Sequence, residues 1–241
     1  MADKKQVLIL QHFQENPPGR VSHLLNEFMI PYDTILVGQD HFPDPIGYQA
    51  IIALGGPQHL YNKSTYPYTI HEEIYVHQAI KHHIPYLGMC LGGQLLANAF
   101  QAPVRKLPKE HIGFLEIHFT EAGQRDPLYH GLPSYQQAFQ WHEDCFDFPA
   151  GAVPLAHYKD GSNQAFRFLD HAYGLQYHVE LTEEILNTWL HDSSLKEEFI
   201  DAYGIEQYEK VVQEVAQLYP IYAKHSHIVI ENFLRISKLV G

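Results

Sequence analysis

Ile84-Pro85-Tyr86-Leu87-Gly88-Met89-Cys90-Leu91-Gly92-Gly93-Gln94-Leu95-Leu96-Ala97 is the stretch from which the fold can be worked out. Residues 85–89 have the length and apolar character of a strand buried on both faces. Residues 92–100 set Leu95, Leu96 and Ala99 inward on a helix. Cys90 stands between the two. Glycines at 88, 92 and 93 leave room for a sharp turn, so the segment has the form of a strand–nucleophile–helix elbow with a thiol in place of a hydroxyl. The positive end of a helix dipole favours a thiolate placed against it. The N–H of Leu91 is aimed where an oxyanion would form. A buried structural cysteine beside a tight turn is the plainer reading of any lone cysteine, and the glycine-flanked setting favours the elbow over it.

Outward from the elbow, strands alternate with helices. Residues 6–11 are another apolar run of strand length, and Val21, Leu24, Leu25 and Phe28 recur at helical spacing. Residues 34–37 and 50–54 read as strands, the second stopped by Gly55-Gly56-Pro57, and residues 69–81 read as a helix. That alternation predicts parallel strands with helices on both faces. Downstream the period changes. Leu115, Ile117 and Phe119 alternate with Glu116 and His118, and short strands are expected at 137–141, 154–157, 164–168 and 173–177. Turns such as Asp160-Gly161-Ser162-Asn163 separate them, which predicts antiparallel or mixed pairing. From Leu181 the pattern is helical. Glu183 and Glu184 suit a helix start after Thr182. Ser194-Leu195-Lys196-Glu197 reads as a capping box, and Gly204 as a stop. Tyr208, Val211, Val212, Val215, Leu218 and Tyr219 form a stripe that Pro220 is expected to end, with a last helix running to about Leu239.

Composition narrows the class. The chain has 241 residues, 45% of them hydrophobic and 18% charged, which excludes a disordered tail. Two cysteines, Cys90 and Cys145, exclude a disulfide scaffold. The net charge of −12 argues against nucleic-acid and anionic-membrane partners, whose recognition needs clustered Lys and Arg. No apolar run reaches the ~20 residues of a membrane span. Residues 1–5 lead straight into a strand-like run without the apolar core of a signal peptide. A cytoplasmic protein with reduced thiols is the expectation.

A thiolate nucleophile needs a base within reach and a group to orient that base. The chain offers 18 histidines. His82, His83, His225 and His227 read as surface residues. His178 in Gly174-Leu175-Gln176-Tyr177-His178-Val179-Glu180 stands apart, because it follows a strand as Cys90 does. In a parallel α/β sheet such ends share one edge, where sites assemble. Glu180, two residues on, can hold the imidazole. His142 beside Glu143 and Asp144 could suggest a metal, yet no Cys/His set has zinc spacing, and a place lining the cleft mouth is favoured. Cys145 reads as a small buried filler. The Tyr208–Tyr219 stripe reads as core rather than a partner groove.

These residues together carry a family resemblance. Gly88-Met89-Cys90-Leu91-Gly92-Gly93-Gln94 resembles the nucleophile motif of class I glutamine amidotransferases, and Gly174 through Glu180 resembles their His-x-Glu motif. Val179 replaces the proline usual between those two residues, which removes no catalytic group but can alter the loop. Leu54-Gly55-Gly56-Pro57 resembles the upstream oxyanion loop. Ile112-Gly113-Phe114 and Trp141-His142-Glu143-Asp144 are similar to the stand-alone branch near the glutaminase domain of GMP synthase. The expected fold is α/β: a flavodoxin-like, doubly wound, mostly parallel sheet with helices on both faces, an antiparallel strand insertion and a C-terminal helical extension. Residues 1–191 would form the amidotransferase-like domain, and residues 192–241 the helical extension packed on it.

The resemblance also implies roles. Cys90 would attack the γ-carbonyl of glutamine or another γ-glutamyl compound. His178 would carry the proton to the leaving amine, and Glu180 would orient His178. The N–H groups of Gly56 and Leu91 would form the oxyanion hole, while Gln94 and Gly55 would contact substrate. No metal and no cofactor are implied. Only 61 residues follow Glu180, too few for an ATP-dependent synthetase domain. A stand-alone cysteine hydrolase or transferase is therefore expected. A glutaminase subunit awaiting a separate synthetase, and a non-catalytic regulatory relative, are the alternatives.

Overall fold

The structure is a computed structural model that describes residues 5–241, with Lys5 and Ser193 described by backbone only. Residues 1–4, part of the stretch read above for a leader, lie outside the described residues. Nine strands make one sheet: β1 (Lys5–Gln11), β2 (Tyr32–Leu36), β3 (Tyr48–Ala53), β4 (Tyr86–Met89), β5 (Val104–Phe119), β6 (Tyr135–Phe146), β7 (Val153–His157), β8 (Asn163–Phe168) and β9 (Ala172–Leu175). Their spatial order is β2-β1-β3-β4-β9-β8-β7-β5-β6. The first five in that order are parallel, and β2-β1-β3-β4-β9, with β9 as the fifth parallel strand, is the flavodoxin-like arrangement. The remaining pairings are antiparallel, so the expected mixed insertion is present.

The alternation of side chains along β1 divides the core into layers. Val7 and Ile9 face one cluster with Ile52, Leu87 and Met89. That face is covered by α1 (Gly19–Glu27), through Val21, Leu24 and Leu25, and by Val229, Ile230 and Phe233 of α7 (Ile205–Ile236). Leu8 and Leu10 face the other way, against Val76, Ala79 and Ile80 of α2 (Tyr68–Lys81) and Leu96 of α3 (Leu91–Ala99). A strand covered on both sides must be apolar throughout, which is why residues 6–11 and 85–89 show no polar alternation. Thr120 caps the short α4 (Glu121–Arg125).

Three local expectations change. Pro220 does not end the last helix; α7 runs through it without a break. An interior proline forfeits a backbone hydrogen bond, at a cost of ~3 kcal/mol. Here the flanking turns are tied to the body. The Tyr219 hydroxyl accepts from Arg20 and from the Glu183 N–H, and the Tyr222 hydroxyl accepts from the Leu181 N–H. The cap of α6 (Ser193–Tyr203) is Asp192, which accepts from the Ser194 N–H, so the start lies upstream of the capping box read from sequence. His225 is not a surface residue: it is buried in α7 and its Nδ1 accepts the Gln137 N–H.

Helix α5 (Glu183–His191) is capped by Thr182 as expected. Helices α5, α6 and α7 share a third core with Phe114 of β5 and Phe139 of β6. Tyr208 and Val211 of the stripe are buried in that core, and Val212, Val215, Leu218 and Tyr219 pack against it. No helix among the described residues is long and apolar enough to cross a membrane.

Candidate active site

The C-terminal ends of β1, β3, β4 and β9 open on one edge of the sheet, at and beside the switch point between β1 and β3. The loops leaving those ends carry Asn16, Gly55 and Gly56, Cys90, and His178 with Glu180. Residues far apart in the chain meet because the parallel strands all run to the same edge.

Cys90 links β4 to α3 with φ of 51° and ψ of −109°, a left-handed conformation that L-residues avoid. Holding it there costs ~1–3 kcal/mol, which the surroundings must offset. The Cys90 N–H donates to the Leu175 carbonyl, its carbonyl accepts from Gln94, and the Gly92 N–H donates to the Leu54 carbonyl. These bonds pin the elbow to β3 and β9. The positive φ falls on Cys90, not on the glycines around it. Gly88 serves a different need. A Cβ there would lie 2.2 Å from the Gly92 carbonyl oxygen, so only glycine lets the helix start this close to the strand.

His178 lies three residues past the end of β9, where its N–H donates to the Phe139 carbonyl. Its Nδ1–H donates to Glu180 Oε1 at 2.7 Å, and the ring lines the same pocket as Cys90. Both His178 and Glu180 are buried. Burial pushes the His178 pKa down, but the Glu180 carboxylate, the hydrogen bond the ring donates to it and the nearby Cys90 sulfur outweigh burial and raise the imidazole to about 10. Glu180 moves the opposite way. Burial alone would raise it, yet the His178 charge, with hydrogen bonds from His178 and Asn16, holds it below the usual carboxylate range. The Val179 N–H also donates to Glu180 Oε2, so the residue standing where a proline was expected supplies a donor a proline lacks. Trp189 of α5 packs edge-on against the His178 ring at 5.4 Å, and its indole N–H donates to the Glu15 carbonyl.

Gly55 lies against both Cys90 and His178. A Cβ on it would fall 2.6 Å from His178 Cε1 and 3.3 Å from Cys90 Cβ. Gly56 neighbours Leu91, since a Cβ there would sit 3.1 Å from a Leu91 methyl. Leu91 is the first residue of α3, so its N–H lies beyond the reach of an intrahelical carbonyl. Gln94 is buried, lines the cleft with Cys90, and bonds the Asp144 carbonyl at 3.4 Å. The structure thus brings Gly55, Gly56, Cys90, Gln94 and His178 to one cleft, with Glu180 buried against His178 and Leu91 next to Cys90 in the chain.

Two contributors were missed. Asn16 donates to Glu180 Oε1 at 3.0 Å and is buried behind the pair. Its signal was available, because a polar loop after β1 sits beside the switch point. Trp189 carried no signal, since an aromatic on a helix face reads as core. The acidic side of the cleft is a network: Asp144 binds His59 Nδ1 at 2.7 Å and accepts from Tyr61, while Glu143 meets His59 Nε2 and Lys106. His142 lines this side, and burial with the neighbouring His111 lowers it to about 3, so it is neutral. Its Nδ1 donates to the Asp144 carbonyl. Among the described residues one set could hold a metal ion: His83, Asp170 and His171, with ligand atoms within 4.8 Å. It lies before β4 and β9 begin, at the opposite edge from Cys90.

Comparison with known proteins follows the same lines. Residues 25–196 match the family described as glutamine amidotransferase class-I. The chain is 28% identical over 194 residues to the glutamine amidotransferase-like protein YfeJ of Salmonella typhimurium, covering 79% of each. It is 29% identical over 194 residues to a glutamine-hydrolyzing GMP synthase of Thermosipho africanus, covering 80% of this chain and only 32% of that one. A glutamine amidotransferase of Thermotoga maritima superposes with a TM-score of 0.84 at 24% identity, over 96% of this chain and 98% of that one, which shows the fold.

Proposed function

The chain belongs to the glutamine amidotransferase class-I family, and from that premise we propose that it is a stand-alone cysteine enzyme cleaving the γ-amide of glutamine or a γ-glutamyl compound. The observation that carries the proposal is the buried His178–Glu180 pair, bonded at 2.7 Å, standing beside Cys90 on the wall of one pocket. In this reading Cys90 Sγ attacks the γ-carbonyl carbon. The developing oxyanion is received by the N–H groups of Gly56 and Leu91, donors of a kind each worth about 3–4 kcal/mol of barrier. An imidazolium at His178, held charged by Glu180, keeps the proton that the leaving amine needs. The C–N bond breaks, the amine leaves protonated, and a γ-glutamyl thioester remains on Cys90. Water, deprotonated by His178, then hydrolyses the thioester and returns the thiol. Glu180 holds the ring, and Asn16 and the Val179 N–H hold Glu180. The acidic side, with Gln94, would receive the α-amino end of the glutamyl group. Residues 1–191 carry the chemistry in this account, and the 192–241 extension adds Leu195, Glu198, Ala202 and Tyr203 to the cleft lining.

The relation to GMP synthase favours one second reading, a glutaminase that fires only with a synthetase bound. Intact mass after treatment with a diazo-ketone glutamine analogue tests the site. The expected result is one adduct, on Cys90, absent in Cys90→Ala, with turnover in that variant reduced about 10⁴- to 10⁶-fold. An adduct on Cys145, or none, would overturn the assignment. Ammonia or amine release by the purified chain separates the stand-alone reading from the partnered one.

A further inference from the structure

The cleft at Cys90 has two lobes that share Gly56, Pro57, Cys90, Trp141 and Glu198 and differ in the rest of their linings. The larger, of about 280 Å³, runs past Gln94 to Glu110, His142, Glu143 and Asp144. The smaller, of about 140 Å³, adds Phe13, Trp189 and Leu195 with Asn16 and His178, and shares Pro57, Trp141 and Glu198 with the larger. Both contain Cys90 and Gly56, so a bound γ-carbonyl would sit between them. His178 lines the smaller lobe and not the acidic one.

That asymmetry fixes the direction of the reaction. The group that protonates the leaving nitrogen faces the aromatic lobe, so the amine departs into it. Ammonia has no substituent with which to fill such a space or to contact Phe13, Trp189 and Leu195. We propose, resting on the reading above, that the aromatic lobe is a leaving-group subsite and that the preferred substrate is a γ-glutamyl amide of an amine bearing an apolar or aromatic substituent.

The walls are preset rather than adaptable. Trp189 is fixed by its bond to the Glu15 carbonyl, and Trp141 packs edge-on against Trp189 at 5.5 Å and against Phe199 at 5.3 Å. A rigid aromatic pocket loses little entropy on binding. Two contributors come from α6, Leu195 and Glu198, and Glu198 lies beyond the family match. Glu198 is exposed at the mouth of both lobes. Its carboxylate disfavours a leaving amine that itself carries a carboxylate, as in a γ-glutamyl dipeptide. The step balances as ordinary hydrolysis: the amide C–N bond breaks, water supplies the hydroxyl of the released glutamate, and the amine takes the proton.

The test compares kcat/KM for four unactivated amides: glutamine, γ-glutamylmethylamide, γ-glutamylbenzylamide and γ-glutamylglycine. The benzylamide should exceed the methylamide about 10- to 100-fold, with glutamine no better than the methylamide. Leu195→Asp should pull the benzyl-to-methyl ratio back toward one, and if that variant fails to fold, Leu195→Ala supplies the same ratio. The glycine amide should be slower than the methylamide, with Glu198→Gln narrowing the gap. A ratio near one in the wild-type chain, with glutamine hydrolysed and Cys90 labelled, overturns this inference alone. A high ratio that Leu195→Asp leaves unchanged overturns it too. No turnover of any amide with Cys90 unlabelled overturns both this inference and the functional reading beneath it.

Discussion

Cys90 and Cys145 are both buried, 5% and 4% exposed, yet their surroundings differ in every respect that governs reactivity. Cys145 sits within β6 in regular extended pairing with β5, its thiol directed at the Phe146 and Asn163 carbonyls. Burial pushes that thiol up to about 11, against a smaller pull from Arg105, so it stays protonated and inert. Cys90 sits where a parallel strand ends, in a left-handed conformation, with the His178–Glu180 pair beside it in the same pocket. Burial is common to both. The differences are the sheet edge and the charge partner, which β9 brings to one thiol and not to the other.

Removing the charge partner should give the largest effect after loss of Cys90 itself. Glu180→Gln is expected to lower kcat about 10⁴-fold, because the amide no longer fixes the imidazole or its charge. Stability carries a pH signature of the same pair. His178 has a folded pKa raised from 6.5 to about 10, so its contribution is complete below 6.5 and is lost as pH rises through the folded value. Glu180 is depressed from 4.5, so its contribution is present above 4.5 and is lost as pH falls through its folded value. The melting-temperature gap between wild type and Glu180→Gln should therefore be widest between 4.5 and 6.5 and should narrow toward pH 10. A gap independent of pH would mean that Glu180 acts as a neutral acid.

Gly55→Ala probes the geometry without touching charge. Its methyl would meet the His178 ring at 2.6 Å and must displace it. A misplacement approaching 1 Å costs about 10²-fold, read as kcat for ammonia release. Unchanged kcat would mean that the ring gives way at no cost. The smallest effect is expected at the other thiol. Cys145→Ala should leave turnover and Cys90 labelling intact while lowering stability by about 1 kcal/mol, measured by urea denaturation. Any loss of labelling there would erase the contrast between the two cysteines.

How far the site could be read in advance varies by residue. Cys90 was legible because its environment is local: strand, glycines and helix lie within 14 residues, and the resemblance rests on the same segment. His178 and Glu180 were legible because they follow a strand that had to join the same edge. Pro220 misled, since propensity treats an interior proline as a stop, whereas Tyr219 and Tyr222 anchor the helix on both sides of it. The 16-residue β5 was seen only in its last third, because Lys106 to His111 is irregularly paired and carries no period-two pattern.

By itself, the amino-acid sequence determined the alternation of apolar strands and amphipathic helices, the elbow and the order of the motifs. Those features depend on neighbours a few residues apart, and local sterics and side-chain period fix them. Only the tertiary structure decided which groups share the cleft. Asn16 meets Glu180 across 164 positions, and Trp189 packs on His178 from a helix whose aromatic looked like core. The split of the cleft into an acidic and an aromatic lobe is likewise tertiary, because β1, β3, β6, α5 and α6 each contribute to it or border it. Proximity between such distant segments follows from parallel strands ending at a common edge and from helices packing over it, and no period in the sequence records it.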